Sequence, residues 1–311
     1  MNITKFNDFV SDIGYSLPNS FNYSIGLNEL VRFKDTNKNK DNKDLWIKNI
    51  DNNIFVFVFV FGDWKTGEKY TYIDNDNQYN YHEKKQNSYK LQQLKQAELQ
   101  EKKMLASKLE SYYLSLANAD DNHPYLVAKR IKNHEAIKQD NDKLIIPCIG
   151  IDAPFRGKLQ SIQTILPNGF KQFYKGANAS SSYLPLNNPK DIDCFVFVEG
   201  LATGLSILNR LNSISTKGSL YNQEVNNDIC IIVCFNCNGL KPIISYFYGL
   251  YPRSEFYIFA DNDLSGVGIQ KSKEVAAIVP NININPPPLT DEQKQSGLSD
   301  WNDYLESRRV I

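Results

Sequence analysis

The sequence lacks several features that would assign a chain to a class at once. No apolar run approaches the roughly 20 residues of a membrane-spanning helix, and the longest, Ile54–Phe61, has the length of a buried strand. The N-terminus has no basic start followed by an apolar stretch, so we expect no secretion signal, a cytoplasmic location and no membrane partner. A Gly-Lys-Ser/Thr phosphate loop is missing too, which argues against a fused helicase ATPase.

Neither the cysteines nor the net charge indicates a disulfide framework, a zinc site or a strongly basic nucleic-acid-binding surface. The five cysteines are an odd number, which disfavours paired structural disulfides. Cys230, Cys234 and Cys237 lack the second ligand pair of a zinc site, and the first two share one face of a predicted buried strand. Basic and acidic residues both total 35. A zero net charge disfavours tight non-specific DNA binding, but it allows a local basic groove beside an acidic site.

Four regions differ in their residue pattern. Residues 1–82 combine aromatic and β-branched residues with turn signals and predict a small, mostly β domain. Residues 83–119 lack Gly and Pro and predict a long, largely exposed connecting helix. Residues 120–191 hold the short strands and turns of a basic α+β segment, with a hairpin predicted around the turn Pro167–Gly169. Residues 192–311 alternate apolar strands with helices. We therefore expect an α/β and α+β protein with a Rossmann-like parallel sheet in the C-terminal region.

Acidic residues follow two of the apolar strands of the C-terminal region. Glu199 comes directly after one strand, and Asp261 and Asp263 follow another, with Gly200 and Gly266 beside them. Because ligands of open parallel sheets bind beyond the carboxyl ends of the strands, we expect these acids to converge. Such carboxylates repel one another without a cation, and Mg²⁺ prefers oxygen ligands. The glycines leave room for a phosphate backbone. The alternative is a set of surface turns with no shared role.

The two acidic motifs resemble those of the TOPRIM domain, the catalytic domain of bacterial-type primases, type I and II topoisomerases and some nucleases. Phe197–Ser206 is similar to the first motif, and Phe259–Gly266 is similar to the second. Ser299–Asp303 is similar to the signature that follows the core in primases, with Ser299 where Lys or Thr is usual. The chain thus resembles primases of the phage and plasmid type that carry neither a zinc finger nor a helicase domain.

This resemblance implies roles for four acidic residues. Glu199 would be the general acid or base, and Asp261 and Asp263 would hold Mg²⁺ or Mn²⁺. Glu199 could instead hold a second metal ion, as in two-metal phosphoryl transfer. Asp300 would add a further metal-facing carboxylate. A helix N-cap formed by Ser299 or Asp300 is the alternative interpretation, and both roles are compatible.

Upstream segments resemble the region that precedes TOPRIM in zinc-finger-free primases of mobile elements. They are His123–Leu126, Gly157–Gln163 and Asn168–Gly176, and Gly62–Gly67 resembles an N-terminal motif of the same proteins. The resemblance implies that basic residues there bind the incoming nucleotide and the template. The candidates are Arg156, Lys158, Lys171 and Lys175. A solvated hairpin face is the alternative for each of them.

The resemblance predicts a primase-like nucleotidyltransferase that makes short primers on single-stranded DNA from nucleoside triphosphates. Two alternatives stay open. In a TOPRIM nuclease the same carboxylates would activate water, and in a DNA-binding replication accessory protein they would catalyse nothing. A replicative helicase acting in trans is the expected protein partner. The zinc ribbon of bacterial primases has no counterpart here, so no template-sequence preference is predicted.

Overall fold

The computed structural model of the protein describes residues 3–36, 43–53, 56–75, 81–179, 181–189, 192–216 and 228–308. Within these ranges it contains eight helices and two β-sheets, which confirms the expected mixture of α and β structure. The chain divides into two compact units, Met1–Gln100 and Glu101–Ile311. None of the helices in the described ranges is both long and apolar enough to cross a membrane.

The first unit is an antiparallel sheet with one helix packed on it. Helix α1 spans Ile3–Asp12, and the sheet follows chain order through β1 (Leu30–Phe33), β2 (Leu45–Asn53), β3 (Val56–Asp63) and β4 (Lys69–Asn75). Because successive residues of a strand point to opposite faces, Phe59 and Phe61 of β3 both enter the core. The core side chains include Phe6, Val10, Phe33, Leu45, Ile47, Phe59 and Phe61. The secondary structure of residues 3–75 is therefore mostly β.

Helix α2 (Tyr81–Ser115) crosses the boundary between the units. The described side chains before that boundary are almost all exposed, as expected of a connecting helix. Beyond the boundary the helix has an apolar face, on which Leu109 packs against Ile145 and Ile162. The C-terminal part of the predicted connector is therefore also a layer of the second unit.

The second unit is built on one sheet of nine strands. They are β5 (Lys138–Asp140), β6 (Lys143–Gly150), β7 (Leu159–Ile165), β8 (Lys171–Phe173), β9 (Ser182–Pro185), β10 (Cys194–Val198), β11 (Ile229–Val233), β12 (Glu255–Phe259) and β13 (Ile282–Ile284). Parallel strands come first, in the order β13-β12-β10-β11. The sheet then continues from β11 through antiparallel β9, β6, β7 and β8, and β5 pairs with β6.

Helices cover both faces of the parallel strands. The described helices that follow α2 are α3 (Pro124–Lys129), α4 (Leu201–Thr216), α5 (Cys237–Leu250), α6 (Val267–Ala276), α7 (Asp291–Gln295) and α8 (Trp301–Ser307). Val196 and Val198 of β10 pack on the face covered by α4. Phe195 and Phe197 pack on the opposite face, which α5 covers. Burial on both faces explains why these strands read as continuous apolar runs in the sequence. Cys230 and Cys234 are buried on the α5 face, as expected of small hydrophobic residues.

The parallel strands are one part of a larger mixed sheet. Pro185 of β9 pairs with Ile232 of β11, and Leu184 pairs with Val233. These backbone hydrogen bonds join the segment 120–191, which the sequence pattern sets apart, to the sheet of the segment 192–311. The strands of residues 192–311 are parallel to one another, as expected. Their continuation into antiparallel strands was not predicted, because no periodicity in the sequence indicates which edge strand will pair.

The far edge of the sheet folds back towards the parallel strands. β7 and β8 form the predicted hairpin, with Ile165 opposite Lys171. Although β8 is four strands away from β11 in the sheet order, the ring of Phe173 lies 5.9 Å from that of Phe235, just beyond β11. The sheet therefore curls, and the hairpin lies over the carboxyl ends of the parallel strands.

Two glycines of α5 make a matched test of this packing. A Cβ at Gly239 would collide with the carbonyl oxygen of Cys234, whereas a Cβ at Gly249 would have no atom within 4 Å. We expect Gly239→Ala to lower the free energy of unfolding by about 2 kcal/mol through this clash. Gly249→Ala should raise it by about 0.5 kcal/mol, because alanine favours the helix. Urea unfolding measures both, and equal effects of the two substitutions would contradict the packing.

Candidate active site

Two neighbouring strands bring the first acidic pair together. β10 and β12 are parallel and in register, with Val198 opposite Phe259. Glu199 follows β10 directly and Asp261 follows β12 after one residue, so both leave the sheet at the same edge. The backbone N–H of Asp261 donates to Glu199 Oε1 at 3.5 Å. Only 8% of the surface of Glu199 is exposed.

The first turn of α6 closes over this pair. A Cβ at Gly268 would lie 2.6 Å from Glu199 Oε1 and 2.8 Å from the carbonyl oxygen of Asp261. Only a residue without a side chain permits so close an approach. The helix thereby shields the two carboxyl groups from water. Gly268 contributes to the site, although nothing in its sequence context distinguishes it from an ordinary helix glycine.

Burial and mutual repulsion perturb both carboxyl groups. Burial raises the pKa of Glu199 to about 7, with a further contribution from the charge of Asp263. Burial raises the pKa of Asp261 to about 8, and the charges of Glu199 and Asp300 act in the same direction. Each group disfavours ionisation of the other, because like charges interact strongly where water is excluded. Pairs of this kind are concentrated at functional sites.

One oxygen of Asp261 lacks a hydrogen-bond donor. Asp261 Oδ1 is buried, and no hydrogen-bond partner for it exists in the part of the chain that the structure describes. A buried acceptor without a partner loses the hydration it had in the unfolded chain. This atom is therefore the point of the site at which a cation or a proton is most favourable.

Asp263 lies nearby, but its own loop holds its carboxyl group. Asp263 accepts hydrogen bonds from Ser265 Oγ, at 2.8 and 3.0 Å, and from the backbone N–H of Gly266 at 3.0 Å. Among the described residues, no three acidic, histidine or cysteine side chains are grouped so that they could hold a metal ion. The structure thus brings Glu199 and Asp261 together and leaves Asp263 at the margin, engaged with a residue of left-handed backbone conformation, Gly266.

The segment Ser299–Asp303 anchors α8 beside the acidic pair. Asp300 is the N-cap of α8, since its side chain accepts the backbone N–H of Asp303 at 2.8 Å. Asn302 is buried and donates to the carbonyl oxygen of Lys129 and to Ser206 Oγ, both at 2.8 Å. Asp300 therefore forms the helix N-cap that the sequence offered as one of its two roles. Its charge also reaches Asp261, and burial raises the pKa of Asp300 itself.

Two lysines face the acidic residues from other elements. The amine of Lys171 lies 3.9 Å from the position of a Cβ on Gly200 and 5.8 Å from the centre of the Tyr125 ring. Part of its side chain is exposed, yet the surrounding protein lowers its pKa by withdrawing the amine from water, against the charges of Asp300 and Asp261. Lys129 forms an ion pair with Asp303 at 2.8 Å.

A cavity of about 690 Å³ adjoins these lysines. Lys129, Lys171 and Asp303 line it together with Tyr125. Lys129 is a site residue that sequence reasoning missed. It ends a short helix 174 positions before Asp303, and no local pattern indicates which distant acid such a lysine faces.

The other predicted basic residues lie elsewhere. Arg156 donates to the carbonyl oxygen of Ile151 at 3.1 Å, and its guanidinium lies 6.0 Å from the centre of the Tyr246 ring. Lys158 lines a separate cavity, and Lys175 is exposed. Among the described contacts, none joins these three residues to the acidic cluster. The hairpin thus delivers Lys171 to the site without the other three.

The raised pKa values predict how stability depends on pH in metal-free buffer. Because the pKa of Asp261 is higher in the folded protein than in the unfolded chain, the folded state binds more protons between about pH 4 and 8, and stability falls as the pH rises through this range. Asp261→Asn removes the charge. It should be more stable than the wild type by at least about 1 kcal/mol at pH 8.

At pH 5 this advantage should largely disappear, because Asp261 is then protonated in the folded wild-type protein. Thermal unfolding at both pH values measures the difference. The control is Asp152→Asn, which alters an exposed carboxyl group outside the cluster. A stability difference for Asp261→Asn that is the same at pH 5 and pH 8 would contradict the burial of this group.

Comparison with known proteins identifies no relative of this chain. No protein-family model matches the chain. Neither a curated protein nor a solved structure matches it. The residues at the carboxyl edge of the sheet, and the resemblance of Phe197–Ser206 and Phe259–Gly266 to TOPRIM motifs, are therefore what indicates a function.

Proposed function

We propose that the second unit contains a TOPRIM-type domain and that the protein is a primase-like nucleotidyltransferase, which joins nucleoside triphosphates into short primers on single-stranded DNA. One observation carries the proposal. The buried, unpartnered Oδ1 of Asp261 lies beside Glu199 at the carboxyl edge of parallel strands, and the amine of Lys171 faces this edge. Ligands of parallel sheets bind at this place.

The acidic residues fit a hard divalent cation. Asp261 Oδ1 would be the first ligand for Mg²⁺ or Mn²⁺, and Glu199, Asp263 and Asp300 surround it with further carboxylate charge. Mg²⁺ usually takes only one or two carboxylates and fills its other positions with water and phosphate oxygens, so a cage of three preformed ligands is not required. When bound, the ion would neutralise the triphosphate charge and activate the attacking 3′-hydroxyl.

The chain's own residues supply the remaining functions. Lys171 and Lys129 would bind phosphate oxygens, because both amines interact with the charge of Asp261 and both line the adjoining cavity, although Glu199 and Asp261 are not among its lining residues. Glu199 would take the proton of the attacking hydroxyl on its carboxylate, or would help to hold a second cation. Helix α4 begins at Leu201, immediately after Gly200, and its free N–H groups would favour the same anionic ligand.

Two amines opposite the carboxylates favour nucleotide transfer over the alternatives. A nuclease needs the carboxylates and water but no pocket for a separate triphosphate, whereas this cavity carries Lys129 and Lys171 on its wall. The absence of a preformed three-ligand metal group among the described residues is the observation that favours an accessory protein without catalysis. A helicase acting in trans stays part of the proposal as the partner that would use the primers.

Primer synthesis tests the proposal directly. The full chain is incubated with single-stranded DNA, labelled nucleotides and Mg²⁺ or Mn²⁺, with ribonucleotides and deoxyribonucleotides in separate reactions. We expect short labelled products, and a loss of at least about 100-fold in Asp261→Asn and Glu199→Gln, because both substitutions remove charge that would hold the cation or move the proton. Lys171→Ala should cost about tenfold or more.

Lys158→Ala is the matched control, because it removes an exposed lysine of the same segment that lines a different cavity. Its synthesis should stay within about twofold of wild type. Shortening of the DNA without added nucleotides would identify a nuclease instead. Binding of DNA with neither synthesis nor cleavage would identify an accessory protein.

A further inference from the structure

The sheet of the first unit has a second face that the aromatic core does not use. Residues that alternate with the core residues in β1 to β4 point to this side, and strand pairing places them together in rows. We call this surface the outer face. It consists of Leu30, Arg32, Trp46, Lys48, Val58, Val60, Gly62, Lys69, Thr71 and Ile73. Leu30 is 44% exposed and Ile73 is 59% exposed.

Two indole rings lie at one end of the outer face. Trp46 is buried, while 53% of the surface of Trp64 is exposed. Their ring centres are 5.6 Å apart, with planes inclined by 38°. A Cβ at Gly62 would lie 2.5 Å from the Trp46 ring, so this glycine lets Trp46 lie flat against the sheet. Trp64 therefore has a fixed ring on one side and solvent on the other.

The turn that carries Trp64 is held by its own hydrogen bonds. The backbone N–H of Trp64 donates to the carbonyl oxygen of Asp44 at 2.9 Å. The side chain of Asp63 accepts the N–H of Lys65 at 2.7 Å, and Gly67, in the left-handed conformation, donates to the Asp63 carbonyl oxygen at 2.9 Å. A rigid turn keeps an exposed indole in one place, so little conformational entropy is lost when a ligand contacts it.

Cations surround the indole pair. Arg32 lies directly opposite Trp46 in the strand register, and its guanidinium is fixed by the carbonyl oxygen of Lys43 at 2.8 and 3.1 Å. Lys69 lies opposite Gly62, and Lys65 is exposed next to Trp64. Lys48, the next cation along the row, is already paired with Glu98 at 3.6 Å. Arg32, Lys65 and Lys69 thus place three positive charges in the strand rows and the turn next to the indole pair, where Asp44 adds one negative charge.

We propose that the outer face binds single-stranded nucleic acid, with an unpaired base stacked on Trp64 and the backbone phosphates held by Arg32, Lys65 and Lys69. Base stacking on aromatic side chains together with a basic border is the general arrangement for single strands, and it tolerates any sequence. The proposal does not rest on the chemistry assigned to Asp261, because every residue of this surface belongs to the first unit.

The charge around the ring decides the class of partner. A protein-binding patch is usually depleted of lysine at its centre, whereas here Arg32, Lys65 and Lys69 lie in the strand rows and the turn next to the indole pair. The exposed ring also selects single strands over duplexes, because the bases of a duplex are already stacked on one another and cannot cover Trp64. Leu30 and Ile73, the exposed apolar residues of the outer face, extend the surface that further bases could cover.

Binding of labelled oligonucleotides by the full chain tests the proposal. Fluorescence anisotropy is measured with a 20-nucleotide single strand in EDTA, so that no divalent ion assists binding at the acidic site. We expect Trp64→Ala to weaken binding about tenfold, the effect of losing one stacked base. Trp64→Phe should stay within about threefold of wild type, because it keeps a ring.

Lys65→Ala and Lys69→Ala should each lower the slope of affinity against salt by about one phosphate contact. Leu250→Ala, which removes an exposed apolar side chain of the second unit, should not change binding. Asp261→Asn should keep binding while losing primer synthesis, which separates this proposal from the function proposed above. Circular dichroism and thermal unfolding verify that each variant is folded.

Three outcomes would overturn the proposal. In the first, the wild-type protein binds no single strand in EDTA. In the second, Trp64→Ala binds as tightly as the wild type. In the third, a duplex of the same length binds as tightly as the single strand and with equal sensitivity to Trp64→Ala. Loss of a protein partner in Trp64→Ala, with unchanged oligonucleotide binding, would assign the surface to protein recognition instead.

Discussion

The repulsion between two buried carboxyl groups is the constraint on which the candidate active site depends. The register of β10 and β12 places Val198 opposite Phe259, and the side chains that follow cannot avoid each other. Gly268 then lets α6 cover them. Apolar packing on both faces of the sheet stabilises the fold and offsets the unfavourable free energy of this repulsion. Protonation of one of the two groups would relieve this repulsion, and the proposed cation at Asp261 Oδ1 would relieve it in the same way.

Positive charge reaches this edge through long-range packing. Lys171 arrives on a hairpin from the far side of a curled sheet, and Lys129 ends a helix that Asn302 fastens to α8. The ion pair between Lys129 and Asp303 joins the same two elements. The residues that anchor α8 therefore also contribute to the electrostatics of the candidate site.

The two units use aromatic residues in different ways. In the second unit, aromatic rings such as Phe195 and Phe197 are buried between the sheet and α5, where they support strands whose ends carry acids. In the first unit most rings also form a core, but Trp64 stands on a rigid turn with an open side. Gly62 leaves room for the Trp46 ring, and Trp46 contacts one side of the Trp64 ring.

The sequence by itself determined the alternation of strands and helices in residues 192–311 and which acids follow strands β10 and β12, because apolar periodicity, turn residues and strand length are local properties. It also placed the β7–β8 hairpin. Only the tertiary structure decided that β9 joins β11, that Lys171 and Lys129 face the acids while Arg156 does not, and that Asp263 bonds to its own loop. Those outcomes depend on edge pairing, sheet curl and contacts between residues far apart in the chain, and no local pattern encodes them.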